Sequence, residues 1–115
     1  MKGFAFAGGA GNDRFAFGSL DGSVDRILDY NVANDTIQLS LAAFAGIGTI
    51  GNFNVNAFVS NGAPVALEAG DHILYNSTSG ALYYDADGNG GGVAVQFALL
   101  GGAPALTFAD IAVIA

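Results

Sequence analysis

Residues 8–16 read Gly8-Gly9-Ala10-Gly11-Asn12-Asp13-Arg14-Phe15-Ala16, a complete match to the nine-residue pattern G-G-x-G-x-D-x-U-x, where U is apolar. Each fixed position has a physical task. Gly8, Gly9 and Gly11 let the backbone turn through positive φ, so that main-chain carbonyls can converge on a cation. Asp13 adds a hard anionic oxygen, which suits Ca²⁺ and its six to eight oxygen ligands. Phe15 then opens a short strand and is expected to point inward.

Around this stretch the repeat fades. Nine residues before Asp13 stands Phe4, and only Phe6 keeps its expected apolar place; nine residues on, Gly18 and Val24 are retained. Repeat solenoids need about three units for stability, with atypical units at their ends. The expectation is therefore a terminal coil over residues 1–23 and a β-rich capping region over 24–115, in one compact domain. Further coils would precede Met1.

Composition narrows the function. The chain has 115 residues, 18 glycines, two prolines and no cysteine. Tight turns are expected, and thiolate chemistry is excluded. Nine aspartates and one glutamate face only Lys2, Arg14 and Arg26, for a formal net charge of −7. So few cations offer a phosphate backbone almost nothing, which argues against nucleic acid. Aspartate in place of glutamate favours turns over helices. No apolar run reaches the roughly 18 residues of a membrane span. The N-terminus lacks a signal-peptide pattern, so export is expected by another route.

Downstream the pattern is all-β. Val24, Arg26 and Leu28 alternate with Asp25, Ile27 and Asp29, and Thr36 to Leu41 places Ile37, Leu39 and Leu41 on one face. Residues 41–51, rich in Ala and Gly, suggest a short helical turn. Asn52 to Val59 alternates Phe53, Val55 and Ala57 with asparagines and reads as one strand, followed by a loop over 60–71. Ile73–Tyr75 and Ala81–Tyr84 read as a hairpin. A turn over Asp85–Gly92 then feeds Val93–Leu99, with Val93, Val95 and Phe97 on a shared face. An antiparallel meander with one polar and one buried side is expected.

The order of these segments resembles the C-terminal region of RTX (hemolysin-type calcium-binding) proteins. The likeness rests on Gly8–Phe17, Asp25–Tyr30, Asn34–Leu39, Asp71–Asn76, Gly80–Gly88 and Val95–Ala98. It implies the end of a parallel β-roll, ordered by extracellular Ca²⁺, joined to a β-cap that accompanies type I secretion. The tail Asp110-Ile-Ala-Val-Ile-Ala115 resembles the endings read by that secretion apparatus, and also suits a final strand. Phe4, Phe6, Phe15 and Phe17 at an open roll end would favour self-association.

The metal candidates fall in two groups. The first is Gly8, Gly9, Ala10, Gly11 and Asp13. In a roll an ion lies between loops two repeats apart, so one loop is half a site; Asn31, eighteen residues after Asp13, or Asp21, Asp25 and Asp29 would supply the remaining oxygens. The second is Asp85, Asp87 and Asn89, the first half of an EF-hand loop, although Gln96 stands at the twelfth position and strands flank the segment. A plain Asp/Gly hairpin turn has the same composition.

Catalysis finds little footing. His72 is the only histidine and reads as a packed or surface residue, and no G-x-S-x-G is present. The expectation is a non-catalytic, secreted, calcium-binding module. The alternative is an adhesion or carbohydrate-binding domain, with Tyr75, Tyr83 and Tyr84 as an aromatic platform.

Overall fold

The computed structural model describes residues 5–6, 14–18, 24–28, 30–62, 64–86, 88 and 94–115. Among the described residues, eleven short strands form three sheets: β1 (Ala5–Phe6), β2 (Arg14–Phe17), β3 (Asp25–Ile27), β4 (Thr36–Ser40), β5 (Gly48–Thr49), β6 (Asn52–Phe53), β7 (Phe58–Asn61), β8 (Ile73–Asn76), β9 (Ala81–Tyr84), β10 (Val95–Leu100) and β11 (Ile111–Ile114). Two three-residue 3-10 helices, Val55–Ala57 and Phe108–Asp110, are the only helical pieces among the described residues. The chain is all-β.

A six-stranded sheet runs β1-β3-β10-β9-β8-β7, a three-stranded sheet runs β11-β4-β2, and β5 and β6 form a small ribbon. The first four strands alternate between the two larger sheets, each parallel to the strand two before it. Ala5 lies opposite Arg26, 21 residues on, and Arg14 lies opposite Thr36, 22 residues on. These pairs cross position 23, so the segments on either side of it share both sheets. The expected meander is present as antiparallel β8, β9 and β10, but it is flanked by parallel joins to β7 and β3.

Period-two patterning explains the faces. In β2 and β4, Phe15, Phe17, Ile37 and Leu39 are buried, and in β11 Ile111 and Val113 join them. Across the interior, Phe97 of β10 meets Phe17 edge-on at 5.3 Å between ring centroids. The three-stranded sheet covers only part of its six-stranded partner. The segment after β4 covers much of the rest, with Phe44 edge-on to Tyr84 at 5.3 Å and to Phe97 at 4.9 Å, and Ile47 fully buried.

Residues 41–51 open on the expected short helical turn, with Phe44 and Ala43 N–H donating to the Ser40 carbonyl at 2.8 and 3.0 Å, and leave it for β5 where Gly46, Gly48 and Gly51 adopt φ of +87°, +138° and +83°. Three expectations are corrected. The strand expected over 52–59 breaks after Phe53, where the Asn54 carboxamide accepts from Asn56 N–H and caps a 3-10 turn. Val95 and Phe97 do not share a face: a bulge between Gln96 and Ala98 shifts the register, leaving Val95 exposed and burying Phe97 and Ala98 together. The meander is also not polar on one side throughout, since consecutive Ile73, Leu74 and Tyr75 are all buried.

Buried carboxylates close the loops in front of three strands. Asp35 Oδ2 accepts from Asn31 N–H at 2.8 Å just before β4. Asp71 Oδ2 accepts from Leu67 and Glu68 N–H at 2.9 and 3.0 Å just before β8. Asp110 Oδ2 accepts from Thr107 N–H at 2.8 Å just before β11. No lysine or arginine follows Arg26, and backbone N–H groups bind these carboxylates instead.

Candidate functional site

The nonapeptide residues Gly8, Gly9, Ala10, Gly11 and Asp13 lie outside the described residues, as do Asp29, Asp87 and Asn89. The described chain resumes at Arg14, the first residue of β2. There Arg14 is exposed, while Phe15 and Phe17 enter the core. Asp25 faces inward on β3 together with Ile27, with Arg26 exposed between them, and stands opposite Ala98 of β10. Asn31 is exposed; its Oδ1 accepts from Ala33 N–H and its N–H donates to Asp35.

Two aspartates that the sequence reading passed over as site residues meet near the start of β4 and β11. The Tyr30 hydroxyl donates to the Asp35 carbonyl at 2.9 Å, and its ring lies 6.1 Å from Phe15. Burial pushes the Tyr30 hydroxyl pKa up most strongly; the Asp110 carboxylate raises it further by charge and hydrogen bonding, and Asp35 by charge. Tyr30 therefore sits between the turn ending at Asp35 and the 3-10 helix ending at Asp110. The readable signal was an aspartate one residue before a strand that carries I-x-L or I-x-V.

Asp85, from the second group, is buried and lines a groove of about 250 Å³ with Pro64, Val65, Ala66, Leu74, Gly88 and Ala94. The loop over 64–70 lies across the outer face of the six-stranded sheet here and covers Leu74. Gly88 makes this possible, because at φ +62° a Cβ would stand 2.2 Å from the Ala69 carbonyl oxygen. His72 braces the same turn. Its Nδ1 donates to the Asp85 carbonyl at 2.7 Å, and Asp85 N–H returns a bond to the His72 carbonyl at 2.8 Å. A Cβ on Gly46 would stand 2.7 Å from Nε2, so the ring is packed in place. Among the described residues no three His, Asp or Glu side chains converge as a metal site.

The tyrosines act as loop anchors. Tyr75 Oη donates to the Pro104 carbonyl and Tyr84 Oη to the Ala45 carbonyl, both at 2.6 Å. Both rings are buried, so of the three platform candidates only Tyr83 is partly exposed. Burial raises the pKa of Tyr75 and of Tyr84, with the Asp85 charge adding to the latter. An unfolded tyrosine ionises near pH 10, so these groups favour the fold fully below that value. Above it, each costs about 1.4 kcal/mol per pH unit until its own folded pKa is reached. The expected result is alkaline unfolding in which phenolate absorbance and loss of β-sheet circular dichroism rise together. Tyr75 and Tyr84 ionising near pH 10 with the sheet signal intact would contradict it.

No family model, curated protein or solved structure matches the chain. No helix among the described residues is long and apolar enough to cross a membrane.

Proposed function

We propose that the chain is a non-catalytic, secreted calcium-binding module of the RTX type, in which Ca²⁺ binding outside the cell completes folding. The observation that carries the reading is the full nonapeptide Gly8–Ala16 leading directly into β2, whose Phe15 and Phe17 are buried. The alternation of β1 to β4 between two sheets, in parallel, supports a two-strand coil and hence a short piece of β-roll. The acidic, aspartate-rich composition supports hard-oxygen ligation.

The coil step refines the ligand set. Arg14 opposite Thr36 advances the chain by 22 residues, and the same step from Asp13 reaches Asp35 rather than Asn31. Asp35 thus joins Gly8, Gly9, Ala10, Gly11 and Asp13 as a candidate around one ion, with Asp85, Asp87 and Asn89 as a second group. All of these donors are carboxylate, carboxamide or main-chain oxygens, the chemistry that Ca²⁺ prefers. The ion would neutralise carboxylates that otherwise repel one another at the turns.

Mass action sets the size of the effect. Extracellular calcium modules bind with Kd of about 10⁻⁴–10⁻³ M. At ten times Kd, one ion stabilises the fold by about 1.4 kcal/mol, equivalent to a shift of roughly 5 °C in Tm. A chain only loosely ordered at low calcium suits passage through a type I channel, with Asp110–Ala115 as the segment that apparatus reads. Thermal melts in millimolar calcium and in chelator test this: Tm rises with calcium, and Asp13→Ala removes part of the rise. Identical melts in the two buffers would refute the coupling.

A further inference from the structure

We infer that the Asn61–Gly62 peptide, at the end of β7, is a site of spontaneous modification in which the asparagine becomes aspartate and isoaspartate. The Gly62 nitrogen attacks Asn61 Cγ, a new N–C bond closes a five-membered succinimide, and the carboxamide nitrogen leaves as ammonia. Water then opens the ring. Attack at one carbonyl gives aspartate; attack at the other leaves an extra methylene in the main chain, which is isoaspartate. Water is the only co-reactant.

Position and sequence single out this peptide among the described asparagines. Asn61 and Gly62 are both exposed, and glycine places no side chain against the attacking nitrogen. Every other described asparagine precedes a residue with a side chain: Asn31 and Asn54 a β-branched valine, Asn34 an aspartate, Asn52 a phenylalanine, Asn56 an alanine and Asn76 a serine. A Cβ on Gly62 would stand 3.0 Å from the Thr78 hydroxyl, so alanine adds crowding as well as a methyl group.

The products differ in consequence. Either adds one negative charge to a chain already at −7. Aspartate keeps the backbone, and with it the Ser77 N–H bond to the Asn61 carbonyl at 2.9 Å that ties β7 to the turn after β8. Isoaspartate displaces that carbonyl and unfastens the end of the β7–β8 ladder, where Asn61 stands opposite Asn76.

Peptide mapping of the folded full chain, aged at mildly alkaline pH and physiological temperature, tests the assignment. Asn61 is expected to convert faster than Asn31, Asn54 or Asn76, and Gly62→Ala to slow it by roughly tenfold or more. The isoaspartyl fraction is expected to lose hydrogen-exchange protection at Ser77 while the aspartyl fraction keeps it. The inference is overturned if Asn61 stays intact in the folded chain while the unfolded chain converts, or if Gly62→Ala converts at the parent rate. Cleavage after Glu68 puts Asn89–Gly90, outside the described residues, in a different peptide from Asn61.

Discussion

Phe44→Ala is expected to destabilise the fold by about 3–5 kcal/mol, the range for deleting a fully buried phenylalanine. Phe44 has no exposed surface and lies edge-on to both Tyr84 and Phe97. It supplies the cover that the three-stranded sheet, with only β11, β4 and β2, does not extend over β8 and β9. The Tyr84 hydroxyl holds the same segment by the Ala45 carbonyl, so loss of the ring also loosens a part-buried hydrogen bond. Domains of this size have about 5–15 kcal/mol in total, so one substitution takes a large share. The denaturant midpoint should fall with an unchanged slope. Ile50→Ala is the control: that side chain is 61% exposed, and a change within about 0.5 kcal/mol is expected. A Phe44→Ala loss below about 1 kcal/mol would show that the 41–51 segment is not part of the core.

Gly88→Ala should cost about 2–5 kcal/mol, combining a left-handed backbone with a clash against main chain. A Cβ there meets the Ala69 carbonyl oxygen at 2.2 Å, its carbon at 2.6 Å and Cα at 2.8 Å, none of which is the end of a flexible side chain. Relief requires the 64–70 loop to lift from the outer sheet face. That would open the groove beside Asp85 and expose Leu74. Equilibrium unfolding measures the stability loss, and proteolysis within residues 64–70 reports the lifted loop. Parent-like stability and parent-like cleavage would contradict this packing.

Much of the fold was legible because alternation is a local property. Ile37 and Leu39, the Ile73–Tyr84 hairpin and the tail strand Ile111–Ile114 stand where period-two reading placed them. The misreadings have local causes that a face count does not capture. Asn54 offers its own backbone a competing hydrogen bond, and one extra residue at Phe97 flips a face. The parallel joins of β10 to β3, β11 to β4 and β7 to β8 were not readable at all. Whether β3 lies beside β10, or β11 beside β4, depends on pairings between residues far apart in sequence.

The candidate site divides in the same way. A nonapeptide is a self-contained message about one loop, so Gly8 to Asp13 could be named from sequence. The opposing loop depends on how far the chain travels in one coil, and the Asn31–Asp35 turn forms part of that path. In the proposed roll, the 22-residue step from Arg14 to Thr36 would put Asp35 in the place of Asn31, a change that no motif announces. Asp85 was named for its place in a half EF-hand sequence, while its burial beside a groove follows from the 64–70 loop crossing the sheet.

Calcium titration followed by backbone amide NMR tests the central claim most directly. The account predicts saturable shifts at Gly8, Gly9, Gly11 and Asp13, with a smaller response at Asp35, and Kd of about 10⁻⁴–10⁻³ M. Asp13→Ala should abolish them. Amides at these positions that stay unmoved through several millimolar calcium would contradict it.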